Sequence, residues 1–394
     1  MAQLLYRSFC FASSWRTRLL ANLRAKPFGL VLLSLWIAIA VASQAATAAP
    51  HPIAQIEFIG QSVLPTNLVF QGTPFGGLSG ITYDAKYQVY YAISDDRSLK
   101  APARFYTLKI DLSQGHLMVG GVKPQSVTTL LGANSQPFPP AQLDPEGIAL
   151  SKTESIWISS EGDASQEIPP FVKEFSLTGK ILRGLTVPPK FLPNSKTQQG
   201  IRNNLAFESL TISPNGRSLF VATENALKQD GPTATVSHGS PVRILQYNLE
   251  TGEPTAEFLY LTEPIAAPGM TKKFAVNGLA DLLAIDNRGH FISIERSYSA
   301  GTGFHIKFFR VSLADADNIQ AFDGLDRPNT LRPVQKHLLL DLKDLGIPLD
   351  NIEGLTLGPI LPEGSPTLIA IADNNFNPLQ TTQILAFKLT LQED

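Results

Sequence analysis

The sequence predicts an all-β chain folded as a β-propeller. The repeat count gives five blades, or six if another hides in the long stretches before Asp281 or Glu353. Three observations carry this reading. A small or acidic residue, often followed by Gly and then by alternating apolar residues, recurs five times. Each copy is followed by a second strand ending in an acid and a third that usually opens on a cation. No long segment shows the 3.6-residue apolar period of a helix. Two separate β-sandwiches would also be all-β, but the regular spacing favours one ring of like units.

The first strands read Ser79-Gly80-Ile81-Thr82-Tyr83, Glu146-Gly147-Ile148-Ala149-Leu150, Glu208-Ser209-Leu210-Thr211-Ile212, Asp281-Leu282-Leu283-Ala284-Ile285 and Glu353-Gly354-Leu355-Thr356-Leu357, at spacings of 67, 62, 73 and 72 residues. The second strands end at Asp95, Glu161, Glu224, Glu295 and Asp373. The third open at Arg104, Lys173, Arg243 and Lys307, with Gln383 in the fifth copy. Fourth strands are weaker, at Ser126 to Leu131, Ile181 to Val187, Ala256 to Leu261 and His337 to Leu342. The fifth unit has none, whereas the first is preceded by a spare strand, Ile53 to Phe58. That strand would complete the last blade and close the ring, leaving no exposed edge at the seam.

Residues 1–48 are different material. They carry Arg7, Arg16, Arg18, Arg24 and Lys26 and no acid, then an uncharged apolar run from Phe28 to Ala42, then Ala46-Thr47-Ala48. A basic flank, a short apolar run and a small-residue site describe a signal peptide cleaved near Ala48. An uncleaved anchor is disfavoured, because this run is short of the ~20 residues a spanning helix needs. With no cysteine at the junction, a lipoprotein is not expected. The mature chain, 49–394, is expected to be a single soluble domain and a monomer, secreted or periplasmic, with no stable membrane span.

Composition narrows the function. The whole chain has 32 Lys and Arg against 34 Asp and Glu, a net charge of -2. Cleavage would remove five cations and no acid, leaving -7, and so no basic surface for nucleic acid. The single cysteine, Cys10, falls in the leader. This excludes a disulfide framework, a cysteine-held zinc and an iron–sulfur cluster, and it suits an oxidising compartment. The six histidines show no metal-ligand spacing, and Gly77-Leu78-Ser79-Gly80 is not a nucleophile elbow.

In an antiparallel meander, the start of strand one, the end of strand two and the start of strand three share one end of a blade. Around a closed ring, Ser79, Glu146, Glu208, Asp281 and Glu353 would surround the channel mouth. Asp95, Glu161, Glu224, Glu295 and Asp373 would form a second ring just outside, with Arg104, Lys173, Arg243 and Lys307 further out. So many carboxylates on one rim repel one another unless bound cations or arginines compensate. Oxygen ligands without His or Cys suit Ca²⁺ or Mg²⁺. The alternative is structural: acids capping backbone N–H groups and pairing with nearby cations.

Gly77-Leu78-Ser79-Gly80-Ile81, Ser94-Asp95-Asp96-Arg97, Ala103-Arg104-Phe105-Tyr106, Asp144-Pro145-Glu146-Gly147-Ile148, Ser159-Ser160-Glu161-Gly162, Asn351-Ile352-Glu353-Gly354-Leu355 and Ala372-Asp373-Asn374-Asn375-Phe376 occur in this order. Together they resemble the phytase-like family described as "esterase-like activity of phytase". The resemblance runs from about Phe75 to Leu389, with Ser209 standing where the pattern has Gly. It implies a secreted or periplasmic propeller that hydrolyses phosphate esters.

The rim admits such chemistry. Bound Ca²⁺ would bridge carboxylates to phosphate oxygens and polarise a water for in-line attack. On this reading Glu146, Glu353 and Asp281 are the catalytic candidates. Asp95, Glu161, Glu208, Glu224, Glu295 and Asp373 are the metal-ligand candidates. Arg97, Arg104 and Arg296 are candidate phosphate ligands, since the guanidinium fork fits phosphate oxygens. The expected ligand is a small phosphate ester or another ester. The acid-rich rim favours few negative charges, so phytate itself is less favoured than a small monoester, diester or lactone. A lactonase-type ester hydrolase and a non-catalytic ligand-binding propeller remain open as alternatives.

Overall fold

The computed structural model describes residues 51–266, 275–325 and 328–392. The leader expected over residues 1–48 lies outside the described residues. The chain enters on β1 (Ile53–Leu64), followed by a short hairpin of β2 (Val69–Phe70) and β3 (Thr73–Pro74). Blade one is β4 (Leu78–Asp84), β5 (Val89–Ser94), β6 (Arg104–Ile110) and β7 (Val122–Thr129). Blade two is β8 (Pro145–Leu150), β9 (Ser155–Ser160), β10 (Phe171–Ser176) and β11 (Ile181–Leu185). Blade three is β12 (Phe207–Ile212), β13 (Ser218–Thr223), β14 (Pro241–Asn248) and β15 (Pro254–Leu261). Blade four is β16 (Ala275–Ala284), β17 (His290–Ser299), β18 (Gly303–Ser312) and β19 (Gln335–Asp341). Blade five is β20 (Asn351–Leu357), β21 (Thr367–Asp373), β22 (Thr382–Leu391) and, outermost, β1. Five blades are therefore present, with no α-helix among the described residues.

The ring closes as the spare strand predicts. Strand β1 pairs antiparallel with β22 from Ile53↔Leu391 to Leu64↔Thr382. The first strands β4, β8, β12, β16 and β20 each touch the next, and β20 returns to β4. Each blade is buried on both faces, so its strands read as near-continuous apolar runs whose alternate residues serve different neighbours. On β5, Tyr90 and Ala92 pack with Ile369 and Ile371 of blade five, whereas Tyr91 and Ile93 pack with Ile156 and Ile158 of blade two. Comparable cores lie between the other blades, with Trp157 against Leu210 and Leu219, Phe220 against Leu282 and Phe291, and Phe308 against Leu355 and Leu385. Burying side chains of this size contributes about 1.5–3 kcal/mol each.

Polar ties repeat with the blades. The threonine of the motif accepts a neighbouring blade's backbone N–H. Thr82 Oγ1 takes Leu150 N–H (3.1 Å), Thr211 Oγ1 takes Ala284 N–H (3.0 Å) and Thr356 Oγ1 takes Tyr83 N–H (3.1 Å). The motif glycine serves the same contact. A Cβ on Gly80 would lie 2.6 Å from Glu146 O, and one on Gly354 would lie 2.9 Å from Ser79 O, so the innermost strands approach backbone to backbone only without a side chain there.

Candidate functional site

Each innermost strand carries a bulge that interrupts its register with strand two, near its start in four blades and in mid-strand in β16. The extra residue re-aims a side chain at the axis. The bulges fall at Ser79, at Glu146-Gly147, at Glu208, at Ala280 and at Glu353. Opposite them, strand two supplies Asp95, Glu161, Glu224, Arg296 and Asp373. Each stands beside the residue two before the bulge: Asp95 N–H bonds Gly77 O, Glu161 N–H bonds Asp144 O, and Glu224 N–H bonds Ala206 O. Gly278 pairs with Arg296, and Asn351 with Asp373.

Blade four therefore departs from the sequence reading by one residue on each strand. Asp281 occupies the motif's glycine place, not its acid place, and Ala280 takes the acid place. Asp281 is turned into the seam with blade five. Its carboxylate accepts Leu355 N–H at 2.6 Å and Leu282 N–H at 2.7 Å. Burial pushes it up to about 7, and those two bonds oppose the rise. Glu295 likewise points away from the ring, accepting from Tyr260 Oη (2.9 Å), Glu263 N–H (2.6 Å), Asn277 Nδ2 (3.1 Å) and Lys336 Nζ (2.5 Å). A one-residue slip on a strand moves a side chain to the opposite face, so both acids belong to the packing between strands. The place where other blades present an acid goes to Arg296.

Arg104 is also corrected in position. It is fully buried, with Nε on Tyr106 Oη (2.6 Å), Nη1 on Asp96 (2.7 Å) and Nη2 on Pro74 O (2.8 Å). All three nitrogens are used within blade one and the β2–β3 hairpin that precedes it. Arg243 is held the same way by Asp230 and Glu257. Lys173 lies 4.1 Å over the Phe171 ring, and Lys307 stands between Glu295 and Asp341 in the sheet. Arg97 is nearer the site, bonding Asp163 through Nη2 (2.8 Å) and reaching to 3.6 Å from Asp144 through Nε.

The remaining predicted acids come together. Asp144, Glu146 and Glu161 each offer a carboxylate oxygen within 4.8 Å of the others. Asp144, which the motif reading did not single out, sits two residues before Glu146, as Asn351 sits two before Glu353. Glu161 accepts Ala206 N–H and has Glu208 as a close charged neighbour. Across the ring Arg296 Nη2 lies 3.1 Å from both Glu224 Oε1 and Glu353 Oε1. Asn351 Nδ2 donates to Glu353 Oε1 at 2.8 Å, and Asn375 N–H donates to Asp373 Oδ1 at 2.7 Å. A Cβ on Gly278 would lie 2.4 Å from Glu224 Oε1, so a larger residue there would displace that carboxylate.

The electrostatics follow from burial. Glu353 is pushed up to about 8, Asp144 to about 7 and Asp373 to about 6, with burial the largest cause in each and Arg296 opposing it for Glu353 and Asp373. Burial is the largest cause for the rest: Asp95 is raised further by Asp373 and Glu353, Glu146 by Glu208 and Asp144, Glu161 by Asp144 and Glu224, and Glu208 by Glu161 and Glu224, while Glu224 is raised by burial against Arg296. Asp95 Oδ1, Arg296 Nε, Asn351 Oδ1 and Asn374 Nδ2 are buried without a protein partner. Unpaired buried polar atoms are costly, and here several gather round one group of acids. The donor set is all oxygen, which suits a hard divalent cation.

The family model for "Phytase-like: Esterase-like activity of phytase" matches residues 73–376. The chain belongs to the phytase-like family. Among relatives of this phytase-like chain, an uncharacterized secreted protein of Arthroderma benhamiae is 28% identical over 135 residues. That match spans 28% of the phytase-like chain and 25% of the relative's length. Two solved structures match at low similarity. An endo-arabinase from Bacteroides thetaiotaomicron has 12% identity and a TM-score of 0.44, over 84% of this chain and 98% of its own. A periplasmic gluconolactonase from Pseudomonas aeruginosa has 13% identity and a TM-score of 0.33, over 80% and 87%. No helix among the described residues of the phytase-like chain is long and apolar enough to cross a membrane.

Proposed function

We propose that this phytase-like propeller is a divalent-cation-dependent hydrolase, cleaving small phosphate esters at the channel mouth with Ca²⁺ as its metal. The observation that carries this reading is the convergence of Asp144, Glu146 and Glu161 within 4.8 Å, across the ring from Arg296. Asp144, Glu146 and Glu161 would hold the cation, with the unpartnered Oδ1 of Asp95 nearby. When bound, Ca²⁺ supplies Lewis-acid polarisation of phosphoryl oxygen and water.

The chain's own residues supply the rest. Arg296 stays cationic between two acids, and its buried Nε is free to donate to an anionic oxygen of substrate. Glu208, beside Glu161, would take a proton from the attacking water in its ionised form. Glu353, held up to about 8, carries a proton at neutral pH that it can give to the leaving oxygen as the P–O bond breaks. The carboxylate left on Glu353 then lies 3.1 Å from the Arg296 guanidinium.

Arg104 and Arg243 are consumed in buried pairs, so few cations remain for a polyphosphate. This favours esters with one phosphate, and it keeps a carboxylic ester or lactone as the second reading. We also take residues 1–48 as a cleaved leader and 49–394 as one secreted or periplasmic domain, on the basic flank and short apolar run described above.

The test is hydrolysis of a simple phosphate monoester, a carboxylic ester and phytate by the mature chain, with Ca²⁺ or with chelator. The expected result is Ca²⁺-dependent phosphate release that Glu146→Gln abolishes. Ester cleavage alone would transfer the assignment to the second reading. No turnover, with the fold still stabilised by Ca²⁺, would make the chain a binding propeller.

A further inference from the structure

We infer that Arg296 is a resident cation standing where a second metal ion would otherwise sit, so that the ring takes one divalent ion and not two. This rests on the metal reading above and concerns how many ions the ring accepts.

Blade four is out of register with the rest by one residue. The other blades each present an acid at the end of strand two: Asp95, Glu161, Glu224 and Asp373. The slip in blade four replaces that acid with a guanidinium and leaves the bulge with Ala280. The carboxylates then divide into two groups. On the side of blades one and two, Asp144, Glu146 and Glu161 converge, and among the described residues no cation bridges the three. Arg97 reaches only one of them, Asp144, at 3.6 Å, and is itself engaged by Asp163. On the side of blades three and five, Glu224, Glu353 and Asp373 face one another across the channel.

Arg296 fills that second group. A single nitrogen, Nη2, lies 3.1 Å from an oxygen of Glu224 and 3.1 Å from an oxygen of Glu353. It bridges carboxylates from two blades as an ion would. Asn351 completes the group. It is 4% exposed, its Nδ2 holds Glu353 (2.8 Å) and lies 3.5 Å from Asp373, and its Oδ1 has no partner. An amide oxygen and two or three carboxylates are a hard-cation donor set. The guanidinium supplies one positive charge to it permanently, through a covalent tether. A chelator cannot remove it.

The experiment is ion counting by native mass spectrometry, with calorimetric titration of Ca²⁺ into the chelator-treated mature chain. The wild-type chain is expected to bind one ion and Arg296→Gln two. Glu146→Gln in the wild-type background is expected to bind none, and Arg296→Lys, which restores a cation, one. Two ions in wild type would overturn the inference without any variant, whatever the variants' folding. One ion in both wild type and a folded Arg296→Gln would overturn it while leaving the metal reading intact. No ion in wild type would overturn the metal reading and this inference with it.

Discussion

Arg296 on β17 and Glu353 on β20 come from neighbouring blades and meet in the channel, Nη2 to Oε1 at 3.1 Å. The guanidinium exists at this point because blade four is one residue out of step with the other four. Its charge opposes the rise that burial imposes on Glu353 and Asp373.

Removing that charge should weaken the metal-free protein. Arg296→Gln leaves Glu224 and Glu353 without their cation, and breaking a buried pair costs about 3–5 kcal/mol. Thermal unfolding in chelator should show a fall in Tm at pH 7.5 that added Ca²⁺ largely restores. An unchanged Tm in chelator would contradict the role given to the guanidinium.

The metal-free protein should lose stability as pH rises from 5 to 8.5. The ring acids have folded-state values above the ordinary carboxylate range, so the folded chain holds protons that the unfolded chain gives up. Their contribution is complete below about pH 4. It is lost as pH rises through about 6 for Asp373, about 7 for Asp144 and about 8 for Glu353. Urea midpoints measured in chelator should fall across this window, and saturating Ca²⁺ should flatten the fall. A midpoint that rises with pH in chelator would refute the assignment.

Asp281 and Glu146 should separate cleanly on mutation. Asp281→Ala strands the buried Leu355 N–H at the seam of blades four and five, at a cost of about 1–3 kcal/mol. Its Ca²⁺ affinity should be unchanged. Glu146→Gln should lose Ca²⁺ binding while the metal-free Tm stays the same or rises, since a repelling acid is gone. Calorimetry and thermal unfolding on both variants decide the matter, and loss of Ca²⁺ binding in Asp281→Ala would return that acid to the site.

Arg104→Gln should behave as a core lesion. The change leaves buried Asp96 without its 2.7 Å partner, so a loss of about 3–5 kcal/mol is expected. Any folded fraction should bind Ca²⁺ as wild type does. Normal stability with weakened substrate binding would show that Arg104 meets ligand after all.

Deleting residues 49–64 should open the ring. Strand β22 would lose its pairing with β1 and expose an unprotected edge. Size-exclusion chromatography should show association or aggregation of the truncated chain, and a stable monomer would refute the closure role of β1.

The propeller was legible because its signal is local and repeated. Tyr90, Tyr91, Ala92 and Ile93 alternate toward two neighbouring blades, and that doubly buried strand is written in the apolar run itself. The acids of blades one, two, three and five were legible for the same reason: each stands at a fixed offset from the motif. Asp281 and Glu295 misled because the slip depends on a bulge, and a bulge leaves composition unchanged. One sequence signal could have found it. In the other blades the apolar residue follows the acid by two places, as in Glu353-Gly354-Leu355, and Leu282 aligned with Leu355 puts Ala280 in the acid place. Asp144 was missed because Pro145 separates it from Glu146, and only the bulge turns both toward the axis.

The sequence by itself determined the all-β class, the five repeats, the closing strand and the acids of the channel mouth. Those follow from period-two burial, turn residues and charge, which act over a few neighbouring positions. The tertiary structure alone decided which acids face one another, that Arg296 stands among them, and that Arg104 and Arg243 are consumed in the core. Side-chain direction on a strand reverses with every residue, so a single bulge, settled by packing between blades, decides which charges share the channel.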